Sequence, residues 1–117
     1  MEKVKLLGAQ CTLRFGRYTN NTIAIQAYNS EGELWCVPTV NYEKFFEGFN
    51  YKKSFKFPAV VIKNYSENEG IYDQLIKEGV ILQGLYLSGS GGTVQCAVLT
   101  EKWQEIARKQ LKIKSRK

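Results

Sequence analysis

"AVVIKNYSENEGIYDQLIKEG", residues 59–79, is the stretch from which the rest of the chain can be read. Ala59, Val60, Val61 and Ile62 form a short apolar, β-branched run, the composition of a buried strand. After the polar residues that follow, Ile71, Leu75 and Ile76 recur at helical spacing, and Gly79 stands where a glycine commonly ends a helix. Ser66 and Glu69 have the S-x-x-E spacing of a capping box, in which serine oxygen and glutamate carboxylate each satisfy an orphan backbone N–H. This spacing predicts a helix over 67–78 with Ser66 as its N-cap. Glu67 and Glu69 would then lie in the first turn, where the helix dipole favours negative charge by about 0.3–1 kcal/mol each. Glu69 and Asp73 would be like charges four residues apart, partly offset by Lys77. Gly70 is not required by such a helix, where it costs about 1 kcal/mol relative to alanine. It suggests close approach by another backbone, either the sheet's or a partner's.

Upstream, residues 9–17 alternate strictly, with Ala9, Cys11, Leu13 and Phe15 on one side and Gln10, Thr12 and Arg14 on the other, which is a strand with one wet face. Val4 and Leu6 are out of phase with that set, and the Leu6-Leu7-Gly8 stretch offers a bulge or bend to restore register. "YTNNT" (18–22) and "NSEGE" (29–33) supply turn residues around a second alternating strand with Ile23, Ile25 and Ala27 inward. "LWCVPTVNY" (34–42) closes an antiparallel meander, and Pro38 places that strand at an edge or a bulge. Residues 43–58 read as a short helical turn around Phe45 and Phe46 followed by an extended piece. Downstream, residues 80–100 read as two strands joined by the Gly/Ser loop 88–92. Thr100 is positioned as N-cap of a closing helix on which Trp103, Ile106, Ala107 and Leu111 share a face. The expected fold is α+β: a mostly antiparallel sheet of about six strands in the order β-β-β-β-α-β-β-α, with two helices packed on one face.

With 117 residues the chain has the length of one domain, expected over 1–108, with 109–117 as a basic helix end and tail. No run approaches the roughly 20 apolar residues that span a bilayer, and the start has no signal-peptide pattern, so a cytoplasmic location is expected. Cys11, Cys36 and Cys96 form no CxxC pair and each lies in a hydrophobic segment, as core cysteines do. The chain has no histidine, which removes Ser-His-Asp and Cys-His catalysis, HExxH chemistry and His-ligated zinc from this single chain. The net charge of +6 is concentrated at one end: from residue 101 onward seven Lys/Arg face two Glu. "SGSGG" lacks the spacing of a phosphate-binding loop, and no nucleophile can be paired with a base. No catalytic residue, metal ligand or cofactor is expected.

Three pieces, "RFGRYTNNTIAIQAYNSEGE", "VPTVNY" and "VVIKNYSENEGIYDQLIKEGVI", resemble in this order a family of small uncharacterised proteins from bacterial plasmids, phages and conjugative elements. The family's hallmark is a strand followed by K-x-Y-S-E-N-E-G and then L-x-x-x-G-I/V. Lys63, Tyr65, Ser66, Glu67, Asn68, Glu69, Gly70, Leu75, Gly79 and Val80 occupy those positions here. The likeness covers about half the chain; residues 44–57 look like an addition, and the basic C-terminal helix lies outside the pattern. It implies a mobile-element setting and carries no activity with it.

The expected function is therefore a non-enzymatic interaction module, an accessory or anti-defence factor binding a host or element-encoded protein. Its candidate contact residues are Tyr65, Glu67, Asn68, Glu69 and Asp73, whose acidic character suits a basic partner surface. The alternative is nucleic-acid binding. Lys52, Lys53 and Lys56 are interleaved with aromatics in "FNYKKSFKF" (49–57), and Lys109, Lys112, Lys114, Arg116 and Lys117 form the basic end.

Overall fold

A computed structural model describes residues 2–19, 21–41, 57–64, 66–82, 84–89 and 92–112. Strands β1 (Val4–Leu6), β2 (Ala9–Arg17), β3 (Ile23–Tyr28) and β4 (Leu34–Cys36) form an antiparallel sheet in sequence order. Strands β5 (Val60–Ile62), β6 (Leu85–Gly89) and β7 (Gly92–Ala97) form a second antiparallel sheet in the order β5-β7-β6. Helix α1 (Ile71–Lys77) lies between β5 and β6, and helix α2 (Glu101–Leu111) closes the chain. The fold is α+β, as expected, but the strands divide into two sheets instead of one. Val4–Leu6 is a strand of its own: Leu7 and Gly8 both take positive φ, turning the chain so that Leu6 pairs with Ala9 and Val4 with Cys11.

The sheets part at Pro38. Strand β4 pairs with β3 only through Cys36 and Leu34, across a bulge that leaves Trp35 as the extra residue. Beyond it the chain crosses to β5, where Val40 N–H donates to Val61 C=O and Lys63 N–H to Pro38 C=O. Proline has no N–H to offer a ladder, so the strand changes partner there at no cost in hydrogen bonds. Thr39 seals the corner: its buried hydroxyl oxygen accepts the Ile25 N–H that β4 no longer covers, at 2.9 Å. The first sheet also curls, because Trp35 on one outer strand donates its indole N–H to the Leu6 carbonyl on the other.

The core joins Leu6, Leu13, Ile23 and Ile25 of the first sheet with Val60 and Ile62 of β5, Ile71 and Leu75 of α1, and Trp103 and Ala107 of α2. Val60, Val61 and Ile62 are buried on both faces, which is why that strand is apolar throughout instead of alternating. Helix α1 ends in a Schellman motif: Val80 N–H donates to Leu75 C=O and Gly79 N–H to Ile76 C=O, with Gly79 at φ 74°. Thr100 holds the N-cap position of α2, but its hydroxyl donates to the Gly79 carbonyl, tying α1's end to α2's start. Strands β6 and β7 pair antiparallel up to Gly89 opposite Gly92, on either side of the Gly/Ser stretch. The stretch expected to begin with a helical turn lies, over 42–56, outside the described residues.

All three cysteines are free and buried. Burial pushes the Cys11 thiol up, the Cys36 thiol to about 11, with the nearby Cys11 adding to it, and the Cys96 thiol to about 12. A thiolate-selective disulfide reagent at pH 8 should therefore modify none of them in the folded protein and all three after denaturation. Rapid labelling of any one in the native state would contradict the packing.

Candidate functional site

The acidic segment departs from the expected capped helix. Ser66–Asn68 form a single 3-10 turn, and α1 begins only at Ile71. Ser66 adopts φ 56° and does not cap the helix; Gly70 holds the N-cap position at φ 87°, with no side-chain cap bond. The capping box is thus replaced by an outside cap, since Asn64 Oδ1 accepts the N–H of Tyr72, a first-turn donor of α1, at 3.0 Å. Asparagine and serine both favour such local bonds, and the serine spacing alone could not separate the two arrangements. Glu69 therefore precedes α1, so its expected helical repulsion with Asp73 does not arise, and of the three carboxylates only Asp73 lies in the first turn of α1.

Gly70 also has a different reason from the expected close approach. A Cβ built there meets nothing within 4 Å, and it is the left-handed backbone that selects glycine. Gly70→Ala should accordingly lower stability by about 1–2 kcal/mol, the left-handed penalty, in urea unfolding. A loss above that range would mean a packed neighbour after all.

Besides Asn64, Asn68 fixes the turn from within. Asn68 is buried, and its Nδ2 donates to the Val37 carbonyl at 2.7 Å; its Oδ1 is buried with no hydrogen-bond partner. Glu67, Glu69 and Asp73 are exposed. Lys63 Nζ pairs with Glu67 Oε1 at 2.5 Å, and this hydrogen bond, before any other influence, holds the Glu67 carboxyl below the usual carboxylate range. The pair's contribution is present above the ordinary glutamate pKa and fades as pH falls through the lowered one. In an NMR titration, Lys63→Met should raise the Glu67 pKa toward the ordinary range, leaving the smaller lowering from the Glu67 backbone N–H and the Ser66 hydroxyl; an unchanged value would show that Lys63 is not the main cause. Glu69 and Asp73 make no ion pair among the described residues.

The arrangement thus presents carboxylates to solvent from a braced turn and can accept charge-assisted hydrogen bonds from lysine or arginine. Asn68, expected at the contact surface, is instead an internal anchor. Tyr65 lies outside the described residues. Among the described residues no three Cys, Asp or Glu side chains group as metal ligands.

Of the alternative basic set, Lys109 and Lys112 are exposed at the end of α2, while Lys52, Lys53, Lys56, Lys114, Arg116 and Lys117 lie outside the described residues. Other α2 cations have local partners: Lys102 pairs with Glu2, and Arg108 pairs with Glu105 and stacks on Phe57.

The sequence reading also missed the polar side chains that close the first sheet's edges. Glu78 accepts Lys5 N–H at 2.8 Å and Gln74 accepts Leu7 N–H at 2.7 Å, so α1 covers β1. Gln110 of α2 accepts Phe15 N–H at 2.9 Å through Oε1 and donates from Nε2 to Leu13 C=O at 3.3 Å. No local spacing signals these roles, because the partners lie 67 to 97 residues apart. Compared with known proteins, the chain matches no family model, no curated protein and no solved structure. Among the described residues no helix is long and apolar enough to cross a membrane.

Proposed function

We propose that the protein is a non-enzymatic interaction module that binds a basic surface of another protein through Glu67, Glu69 and Asp73. The observation that carries this reading is the division of labour in the acidic turn. Its amides are turned inward onto backbone groups, Asn64 on Tyr72 and Asn68 on Val37, while its carboxylates remain exposed. A surface held in place before binding has less ordering entropy to lose when a partner arrives. Glu69 and Asp73, which make no ion pair among the described residues, leave the turn with negative charge beyond the Lys63–Glu67 pair, and such charge steers encounters with positive patches. The mobile-element likeness supports a cytoplasmic accessory or anti-defence role with a host protein as the partner.

The test is affinity capture with the protein as bait, beside E67Q/E69Q/D73N. The wild type should retain one protein at near-stoichiometric yield, with an association rate that falls as salt rises. The triple variant should associate about tenfold more slowly, the scale of electrostatic steering. Equal capture by both baits, or capture that ignores salt, would remove the reading.

Exposed Lys109 and Lys112 favour a second reading, nucleic-acid binding. It requires that K109Q/K112Q weaken a gel shift and flatten its salt dependence.

A further inference from the structure

The edge of β2 offers a second contact surface. Strand β1 covers β2 only as far as Cys11, which is opposite Val4. In an antiparallel strand, alternate residues aim both backbone groups to the same side. Ile23 and Ile25 send their N–H groups away from β2, to Ala59 C=O and Thr39 Oγ1, and their register partners Arg17 and Phe15 must face away from β3 as well. Leu13, Phe15 and Arg17 therefore direct N–H and C=O outward past the end of β1. Two of those groups, Phe15 N–H and Leu13 C=O, are held by the exposed Gln110 amide, which bonds them as the peptide group of a neighbouring strand would. An open hollow of about 790 Å³ runs beside this edge, lined by Thr12, Leu13, Arg14, Phe15, Tyr28 and Gln110 among others.

We propose that this edge accepts an extended acidic peptide as an added strand, whose backbone displaces Gln110 and pairs with Leu13–Arg17. Five strand residues give a pairing length of roughly 16 Å, enough for a short segment. Charge selects the occupant. Arg14 and Arg17 are exposed on the strand itself, Arg14 stacked at 5.8 Å over Tyr28, and Lys109 and Lys112 are exposed on either side of Gln110 in sequence. Among the described residues, Glu31 and Glu33 flank Gly32 of the β3–β4 turn, which lines the hollow on its β3 side, whereas the cations lie on the β2 side where the peptide would pair. This surface is separate from the acidic turn, and neither proposal depends on the other.

The probe is a fluorescent eight-residue peptide alternating Glu and Val, compared with its Lys/Val counterpart and with a version N-methylated on alternate amides. The Glu/Val peptide should bind and shift the amide resonances of Leu13, Phe15 and Arg17. Q110A should bind it about tenfold more tightly, because two competing hydrogen bonds are gone. Q110E, which keeps an acceptor for Phe15 N–H but repels the peptide, should bind it more weakly, and this second variant serves if Q110A folds poorly. N-methylation should cost at least tenfold. Equal binding of the Lys/Val or N-methylated peptides, an affinity untouched by either Gln110 variant, or resonance shifts confined elsewhere would overturn the proposal. So would a nucleic-acid oligomer occupying the same resonances more tightly than the peptide, or Q110A forming a dimer that excludes it.

Discussion

Gly84→Ala is expected to be the most damaging small substitution in the described structure, with a loss of at least about 3 kcal/mol, at the upper end of overpacking. A Cβ at this position would lie 1.8 Å from the Cys96 carbonyl oxygen and 2.6 Å from Ala97 Cα. Both are backbone atoms of β7, so no side-chain rotation relieves the clash. The crowding has a register cause. Ile81 bridges Leu99, while Leu85 pairs with Cys96, so the pairing slips by one residue between them and Gly84 sits at the slip. Its N–H also donates to Tyr72 Oη at 2.9 Å, coupling the slip to α1. Thermal unfolding should show a fall in Tm of more than about 10 °C. Gly70→Ala is the internal control, with the same chemical change made in open space. Were the two variants to lose equal stability, the close approach of the backbones at Gly84 would be wrong.

Trp103→Ala should cost about 3–5 kcal/mol. The indole is buried on the face of α2 turned to the first sheet, and its ring centroid lies 6.0 Å from that of Phe15, tilted by 47°. Removing it leaves a cavity at the main contact between α2 and β2 and takes away an aromatic pair worth about 0.5–1.5 kcal/mol beyond its area. Trp103→Phe keeps much of the volume and should cost less than half as much. Trp35, half-exposed on β4, remains as a fluorophore, and circular dichroism gives an independent transition. A urea midpoint that falls with unchanged slope would report lost packing in an otherwise intact fold. A cost below 1 kcal/mol would show that α2 is not docked through this residue.

These two positions also mark what the sequence could and could not reveal. Trp103 was legible because its spacing with Ala107 and Leu111 is a local, periodic signal that packing against a sheet reinforces. The alternation of β2 and β3, the turn at 29–33 and Gly79 at the end of α1 were legible for the same kind of reason. Gly84 was not, since its role depends on Cys96 and Ala97, which approach only once two ladders meet out of register. The division into two sheets was hidden at Pro38. Proline announces an interrupted ladder but not which strand the chain turns to next, and that choice is made by Thr39 and β5.

The acidic turn shows a subtler failure. Ser66 and Glu69 have the spacing of a capping box, yet Gly70 needed a left-handed backbone, which the capping box leaves unexplained. The cost assigned to that glycine was the available sign that α1 starts later. Its exposed carboxylates were foreseen, whereas the anchoring roles of Asn64 and Asn68 were not, because an amide serves equally well outside or inside. Gln74, Glu78 and Gln110 are polar residues on helices, a pattern that ordinarily means solvent; only the tertiary fold brings them to strand edges.

The central claim, recognition of a basic protein surface through the acidic turn, is tested most directly by crosslinking and mass spectrometry in the native host. The wild type should be compared there with E67Q/E69Q/D73N. Lys63 and Lys77 flank the turn in sequence and serve as reporters. The account predicts that both crosslink to one and the same host protein and that these links disappear in the triple variant at equal expression. Links that persist undiminished in that variant, or a partner reached only from distant lysines, would contradict it.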